Sequence, residues 1–297
     1  MTGGATAPLV TAVDGSEGGR HALEWAVDEA RLRGLRLRVV HVYSWLGFRG
    51  AAEGAPEFDF AAMGRRIAER ARDRAKARAP GLDVEAVWVE GDPGDVLLDE
   101  AEGAAMVVAG SRGASRLGAV FIGSTGLQLA ALAPCPLVVV PHLAPRPATG
   151  RVVVGVDGSA AARAAAEWAF EEAALRSSVL RAVAVRGSAS HGVFASLETP
   201  EPGPGTPEER AAQEEARREL SESVAGLRDR HPQVPVETEV AAGHAARTLT
   251  AESRGADLVV LGSRGRGGFA GMLLGSVSQT VLTHSACPVA VLHAPEE

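Results

Sequence analysis

Apolar and polar positions alternate along this chain in a fixed order, and the order runs twice. A buried-type run from Leu9 to Val13 ends in Asp14-Gly15-Ser16, and a helical spacing carried by Leu23, Trp25, Ala26, Val27 and Ala30 follows it. Leu35 to Tyr43 then reads as a strand, Ser44 to Pro56 as a loop, and about Glu57 to Ala79 as a helix stopped by Pro80-Gly81. Asp83 to Val89 is the next strand. Asp92-Pro93 opens a short helix around Val96 to Leu98, because aspartate caps and proline suits a first turn. Ala104 to Ala109 is a strand, a glycine-rich loop follows, and a helix from Ser124 to Leu132 leads to a last strand, Leu137 to Val140.

Residues His142 to Gly150 carry two prolines and no periodicity, and read as an exposed linker. After it the order starts again. Arg151 to Val156 ends in Asp157-Gly158-Ser159, and the next helix holds Glu167-Trp168-Ala169-Phe170-Glu171-Glu172-Ala173 where the first copy has Glu24-Trp25-Ala26-Val27-Asp28-Glu29-Ala30. Leu180 to Val185, a proline-rich loop from Arg186 to Gly205, a helix opened by the capping box Thr206-Pro207-Glu208-Glu209, a strand Val234 to Val240, a helix Ala245 to Arg254, and strands Asp257 to Leu261 and Val289 to His293 complete the copy. The copies are offset by 143 positions at Asp14 and Asp157 and by 152 at Gly110 and Gly262, which places a nine-residue insertion in the proline-rich loop. Each half is thus a β-α-β-α-β-α-β-α-β unit of about five strands. The fold class is α/β, two tandem open parallel-sheet, Rossmann-like domains, bounded at 1–145 and 146–297.

In such sheets ligands bind at the carboxyl ends of the strands, near the point where strand order reverses. Two features recur there. One is the Asp-Gly-Ser turn after the first strand. The other is the loop after the fourth strand, GSRGASRLGAVFIGS from Gly110 and GSRGRGGFAGMLLGS from Gly262, both spaced as glycine, two residues, glycine, nine residues, glycine and serine. Glycine lets backbone N–H groups approach an anion, and the helix dipole adds partial positive charge. Arg112 and Arg264 stand inside the loops, placed either to neutralise phosphate charge or to point into water, and Ser124 and Ser276 start the following helices, where a hydroxyl can cap the helix or contact a phosphate oxygen. The only lysine is Lys76, so a Walker-type phosphate loop is excluded.

Composition narrows the partners. The chain has 297 residues, a net charge of −7 and 46% hydrophobic residues, and both halves are acidic, which argues against nucleic acid. Two cysteines, each before a proline, suit a reducing compartment. The start MTGGATAP has neither the basic end nor the apolar core of a signal peptide, and no apolar run is long enough to span a membrane; the expectation is a cytoplasmic protein without a membrane partner. Competing structural roles exist for the same residues. Asp14 and Asp157 suit helix capping, Trp25, Trp168, Cys135 and Cys287 suit the core, His41 a structural place on its strand, and Arg65 to Arg78 a solvated helix face.

The loop spacing and the paired Asp-Gly-Ser turns resemble the universal stress protein family in its ATP-binding branch, over nearly the whole chain as two tandem domains. The resemblance implies an adenine nucleotide alpha hydrolase-like fold and nucleotide contacts at Asp14, Val42, Gly110, Arg112, Gly113, Gly123, Ser124 and Thr125, and again at Asp157, Val185, Gly262, Arg264, Gly265, Gly275, Ser276, Val277 and Ser278. Gly126 stands where the family's usual form, kept at Ser278, has a hydroxyl. It also implies ATP, with Mg²⁺ held by the triphosphate, an unidentified protein partner in stress signalling, and pairing of the two domains through their last strands as a pseudo-dimer, with homo-oligomers open. No base other than the aspartates recurs beside both loops, so binding and signalling outrank turnover. Slow Mg²⁺-dependent ATP hydrolysis and a nucleotide-free interaction module of the same fold stay as alternatives.

Overall fold

The computed structural model describes residues 7–43, 59–111, 122–142, 146–186, 207–265 and 273–294. The loop readings at 44–56 and 187–205, and the capping Thr206, lie outside them. Two compact units divide at His142 and Leu143. In the first, β1 (Leu9–Ala12), α1 (Glu17–Arg33), β2 (Leu37–Tyr43), α2 (Phe60–Arg78), β3 (Val84–Glu90), α3 (Pro93–Ala101), β4 (Met106–Gly110), α4 (Ser124–Leu132) and β5 (Leu137–Val140) follow in sequence. In the second, β6 (Arg151–Gly155), α5 (Ala160–Arg176), β7 (Val179–Arg186), α6 (Pro207–Arg230), β8 (Val236–Ala242), α7 (Ala245–Glu252), β9 (Leu258–Gly262), α8 (Ser276–His284) and β10 (Val289–Leu292) repeat the order.

Strands of the first unit lie in the order β3-β2-β1-β4-β5 and those of the second in the order β8-β7-β6-β9-β10. The pairings inside each unit are parallel. Chain order therefore reverses beside β1 in one unit and beside β6 in the other, so the carboxyl ends of β1 and β4, and of β6 and β9, are the switch points where sheets of this kind bind ligands. Helices α1 and α2 pack together on one face and α3 and α4 on the other; α5 with α6 and α7 with α8 do the same in the second unit.

Burial follows from those covers. The central strands are near-continuous apolar runs, LVTA in β1 with the buried Thr11 as its one polar residue, MVVAG in β4 and LVVV in β5, because both of their faces are shielded. Outer strands β3 and β8 instead interleave glutamates, which keeps an exposed edge from recruiting another strand. Val234 and Pro235, read from sequence as strand, precede β8. The Val234 N–H closes a turn onto His231 O, proline has no N–H for the ladder, and pairing starts at Leu180 opposite Val236. The helix read as Ala245 to Arg254 ends as α-helix at Glu252 and continues as a 3₁₀ turn, Ser253–Gly255. There the Ser253 hydroxyl donates to Thr250 O at 2.7 Å and accepts the Ala286 N–H at 2.9 Å.

Helix ends follow residue chemistry. Helix α1 stops at Gly34 with φ 66°, and α5 stops at Ser177, whose φ of 51° is the left-handed conformation that glycine adopts without strain. Inside these helices Glu29 and Glu172 are buried at 1% and 0% exposure, each paired with an arginine one turn on, Arg33 at 2.5 Å and Arg176 at 2.8 Å. A second ionic cluster also recurs. Arg38 of β2 meets Glu100 of α3 and Glu85 of β3, as Arg181 of β7 meets Glu252 of α7 and Glu237 of β8. Donating to Glu100 raises the Arg38 guanidinium pKa further; for Arg181 burial is the largest single cause and opposes the rise, which the hydrogen bond donated to Glu252 nonetheless carries.

Trp168 is 8% exposed and Cys287 3%, as core residues should be. Trp25 and Cys135, expected in the core, are only half-buried. The stretch read as a linker is exposed at 146–150 but tied down. Arg146 donates to the carbonyls of Ser253 and Arg254, and the Asp257 carboxylate accepts N–H bonds from Thr149, Gly150 and Arg151.

Candidate functional site

Each Asp-Gly-Ser turn divides its tasks between two side chains. In the first unit Asp14 Oδ1 accepts the Ser16 N–H at 2.9 Å, and the Ser16 hydroxyl oxygen accepts the Gly19 N–H at 3.1 Å, capping α1. In the second, Asp157 Oδ1 accepts the Ser159 N–H at 3.0 Å and Ser159 Oγ accepts the Ala162 N–H at 3.1 Å, capping α5. The helix caps are therefore the serines, while each aspartate shapes the turn with one oxygen. Gly15 and Gly158 take φ of 79° and 77°, which a Cβ would oppose.

The strand-end glycines are required by packing. A Cβ on Gly110 would lie 2.7 Å from Gly18 O in α1, and one on Gly262 would lie 2.7 Å from the Ala161 carbonyl carbon in α5. The first turn of the capped helix thus presses against the end of the fourth strand. This brings the aspartate turn and the glycine loop together. In the second unit the contact is direct. Ser159 Oγ donates to Arg264 O at 3.3 Å, and a Cβ on Gly265 would run into the Asp157 carboxylate.

Where the loops end, α4 and α8 begin at Gly123 and Gly275, and neither helix has a side-chain cap. Ser124 and Ser276 are exposed and Thr125 and Val277 half-buried, and the first-turn amides have no acceptor from a capping side chain. That arrangement suits an anion. Ser278 differs from its neighbours, since it is 4% exposed and its hydroxyl donates to Gly262 O at 2.7 Å. Val42 and Val185 are half-buried near the carboxyl ends of β2 and β7, two residues beyond the pairs Ala12 with Val40 and Gly155 with Val183. Arg264 is exposed. Arg112 and Gly113 lie outside the described residues. Direct contacts thus join Asp157, Gly262, Arg264, Gly265, Gly275 and Ser278 in one place, with Gly110, Gly123 and the Asp14 turn arranged alike in the first unit.

Some features at the first site have no copy at the second. His41 is buried with its Nδ1 2.7 Å from Val13 O, the residue before Asp14, which gives it the structural place its strand suggested. His142, after β5, donates its N–H to Ser111 Oγ at 3.2 Å and stacks its ring on His21 of α1, centroids 5.4 Å apart. Nearby, a hydrogen bond from Arg20 holds the Glu17 carboxyl below its ordinary range. The sequence assigns helix capping to Asp14 and Asp157 as their competing role, whereas Ser16 and Ser159, directly before each helix, hold that place; the bond from Ser278 has no local signal, because its partner lies 16 residues away. Among the described residues no three His, Cys, Asp or Glu side chains gather to hold a metal ion, and no helix is long and apolar enough to cross a membrane. A cavity of about 350 Å³ lined by Arg36, Leu37, Arg38, Asp83 and Glu85 lies at the amino ends of β2 and β3, away from the aspartate turns and glycine loops.

Comparison with known proteins gives the same outline. The model of the universal stress protein family matches residues 7–141 and again 149–293. A universal stress protein of Mycobacterium tuberculosis (strain H37Rv) is 36% identical over 293 residues, covering 95% of this chain and 96% of its own, and a second from the same strain is 31% identical over 304 residues, covering 98% and 97%. The crystal structure of a universal stress protein from Archaeoglobus fulgidus, 22% identical, superposes with a TM-score of 0.66 over 98% of this chain and 99% of that one, which speaks to the fold alone. Two family domains in tandem, matched along their full length by relatives above 30% identity, mean that this chain belongs to the universal stress protein family.

Proposed function

We propose that the chain binds adenine nucleotide, ATP foremost, in two pseudo-equivalent sites at the carboxyl ends of its sheets, and passes the bound state to a protein partner during stress. One observation carries the reading. At the point of strand reversal in each unit, a helix starts from a glycine with no side-chain cap beside an aspartate-shaped turn. The uncapped amides of Ser124 and Thr125, and of Ser276 and Val277, offer donors to phosphate oxygens, and the half-buried ends of β2 and β7 offer backbone to a flat base. No lysine is needed, because amides, helix dipole and arginine share the phosphate charge. Any Mg²⁺ would ride on the triphosphate.

Native mass spectrometry of freshly purified protein, followed by ATP titration, tests this. Added mass of one or two adenine nucleotides is expected, and Gly113→Val and Gly265→Val should each remove one binding equivalent. A chain that neither carries nor takes up adenine nucleotide ends the proposal.

A further inference from the structure

The two units close the base of the glycine loop differently. In the second, three hydrogen bonds of 2.7 Å converge: the Ser263 N–H donates to Leu292 O, the Gly275 N–H to Ser263 O, and the Ser278 hydroxyl to Gly262 O. In the first, the Ser111 N–H donates to Val140 O at 2.9 Å and the Gly123 N–H to Ser111 O at 3.2 Å. The third bond has no counterpart, because Gly126 has no side chain to make it. Ser278 sits in the first turn of α8, the turn whose amides carry no side-chain cap, and its partner Gly262 ends β9. Its burial at 4% exposure means that a ligand reaches this hydroxyl only by displacing Gly262 O.

We infer that Ser278 is a positioning residue that makes the two sites unequal: it fixes the second site before nucleotide arrives, so that the second unit retains nucleotide while the first exchanges it. The inference rests on the nucleotide reading above. Its physics is preorganisation. A strand end and a helix start that are already tied to each other lose less freedom when a ligand binds against both, and that saving appears as affinity. One buried hydroxyl-to-carbonyl bond corresponds to about a fivefold change in an equilibrium. The first site then empties at nucleotide levels that leave the second the more fully occupied of the two, the separation being about fivefold in concentration.

The experiment uses the full chain stripped of nucleotide. Calorimetric titration with ATP should give two affinity classes, and Gly265→Val, by removing the tighter one, assigns it to the second unit. Ser278→Ala should weaken that class about fivefold and leave the other unchanged. The reciprocal change must allow for space, since a Cβ on Gly126 would come 2.9 Å from Ile122 Cγ1, so Ile122→Leu is combined with Gly126→Ser to copy Leu274 and Ser278. That variant should tighten the weaker class, a gain that a merely stabilising serine would not produce. Two equal classes in the wild type, or a Ser278→Ala isotherm that shifts both classes or neither, overturns the inference. A wild type that binds no adenine nucleotide sinks the functional reading and this consequence with it. Hydrogen exchange without nucleotide separates the failures: the Gly275 amide should exchange more slowly than that of Gly123, and the difference should vanish in Ser278→Ala. Equal exchange at the two amides overturns the positioning role whatever the titration shows.

Discussion

Gly265 stands so close to Asp157 that a side chain on the glycine would occupy the space of the aspartate Oδ2. The carboxylate is not free to retreat, since its other oxygen holds the Ser159 N–H at 3.0 Å. Gly265→Val is therefore expected to break the second site while leaving the first intact. Counting bound ATP per chain, with thermal melting as a check on folding, reads this out. Two equivalents still bound would show that the close approach is incidental.

Gly262→Ala should act on stability rather than on binding alone. Its Cβ would meet backbone of α5, 2.7 Å from the Ala161 carbonyl carbon and 2.9 Å from the Ala162 nitrogen, and backbone cannot rotate away. The overpacking is expected to cost about 1–3 kcal/mol in urea unfolding. Gly226→Ala, in α6 with open space around it, should stabilise by about 0.5–1 kcal/mol and serves as the control.

Ser177→Gly should be stabilising, an uncommon direction for a point substitution. Ser177 holds φ 51° at the end of α5, whereas Gly34 fills the same place after α1 at φ 66°. Relieving the left-handed strain, less the greater freedom of glycine in the unfolded chain, leaves a gain of about 0.5–1 kcal/mol. A lower melting temperature for the variant would contradict it.

Both cysteines should be poor nucleophiles at neutral pH. Burial pushes the Cys135 and Cys287 thiols up to about 11 from an ordinary value of 9.0, so the folded chain keeps them protonated where the unfolded chain has begun to ionise. Stability from this source is fully present below pH 9 and is lost as pH rises from 9 towards 11. Urea unfolding at pH 8 and 10 should show a drop that shrinks when both residues are replaced by alanine. Rapid thiol labelling of the folded chain at pH 8 would argue against the burial effect.

The sequence carried the repeat, the strand runs and both recurring turns because these depend on local patterns: apolar runs for doubly covered strands, aspartate and serine before helices, glycine where backbones touch. What it hid depends on distant partners. Glu29 and Glu172 look like surface residues of a charged helix, and only the fold reveals that each lies buried against its arginine. The bond from Ser278 to Gly262 and the outer-strand start at Val236 were invisible for the same reason, since neighbours elsewhere in the chain decide them.

Asp257 has a practical consequence for anyone dividing the protein. Its two carboxylate oxygens take up the N–H groups of Thr149, Gly150 and Arg151 and the hydroxyl of Thr149, so the second half begins structurally at least two residues before its first strand. A fragment starting at Arg151 would strip that carboxylate of most of its donors, and one starting at Arg146 would keep them. The useful cut lies on the amino-terminal side of Arg146.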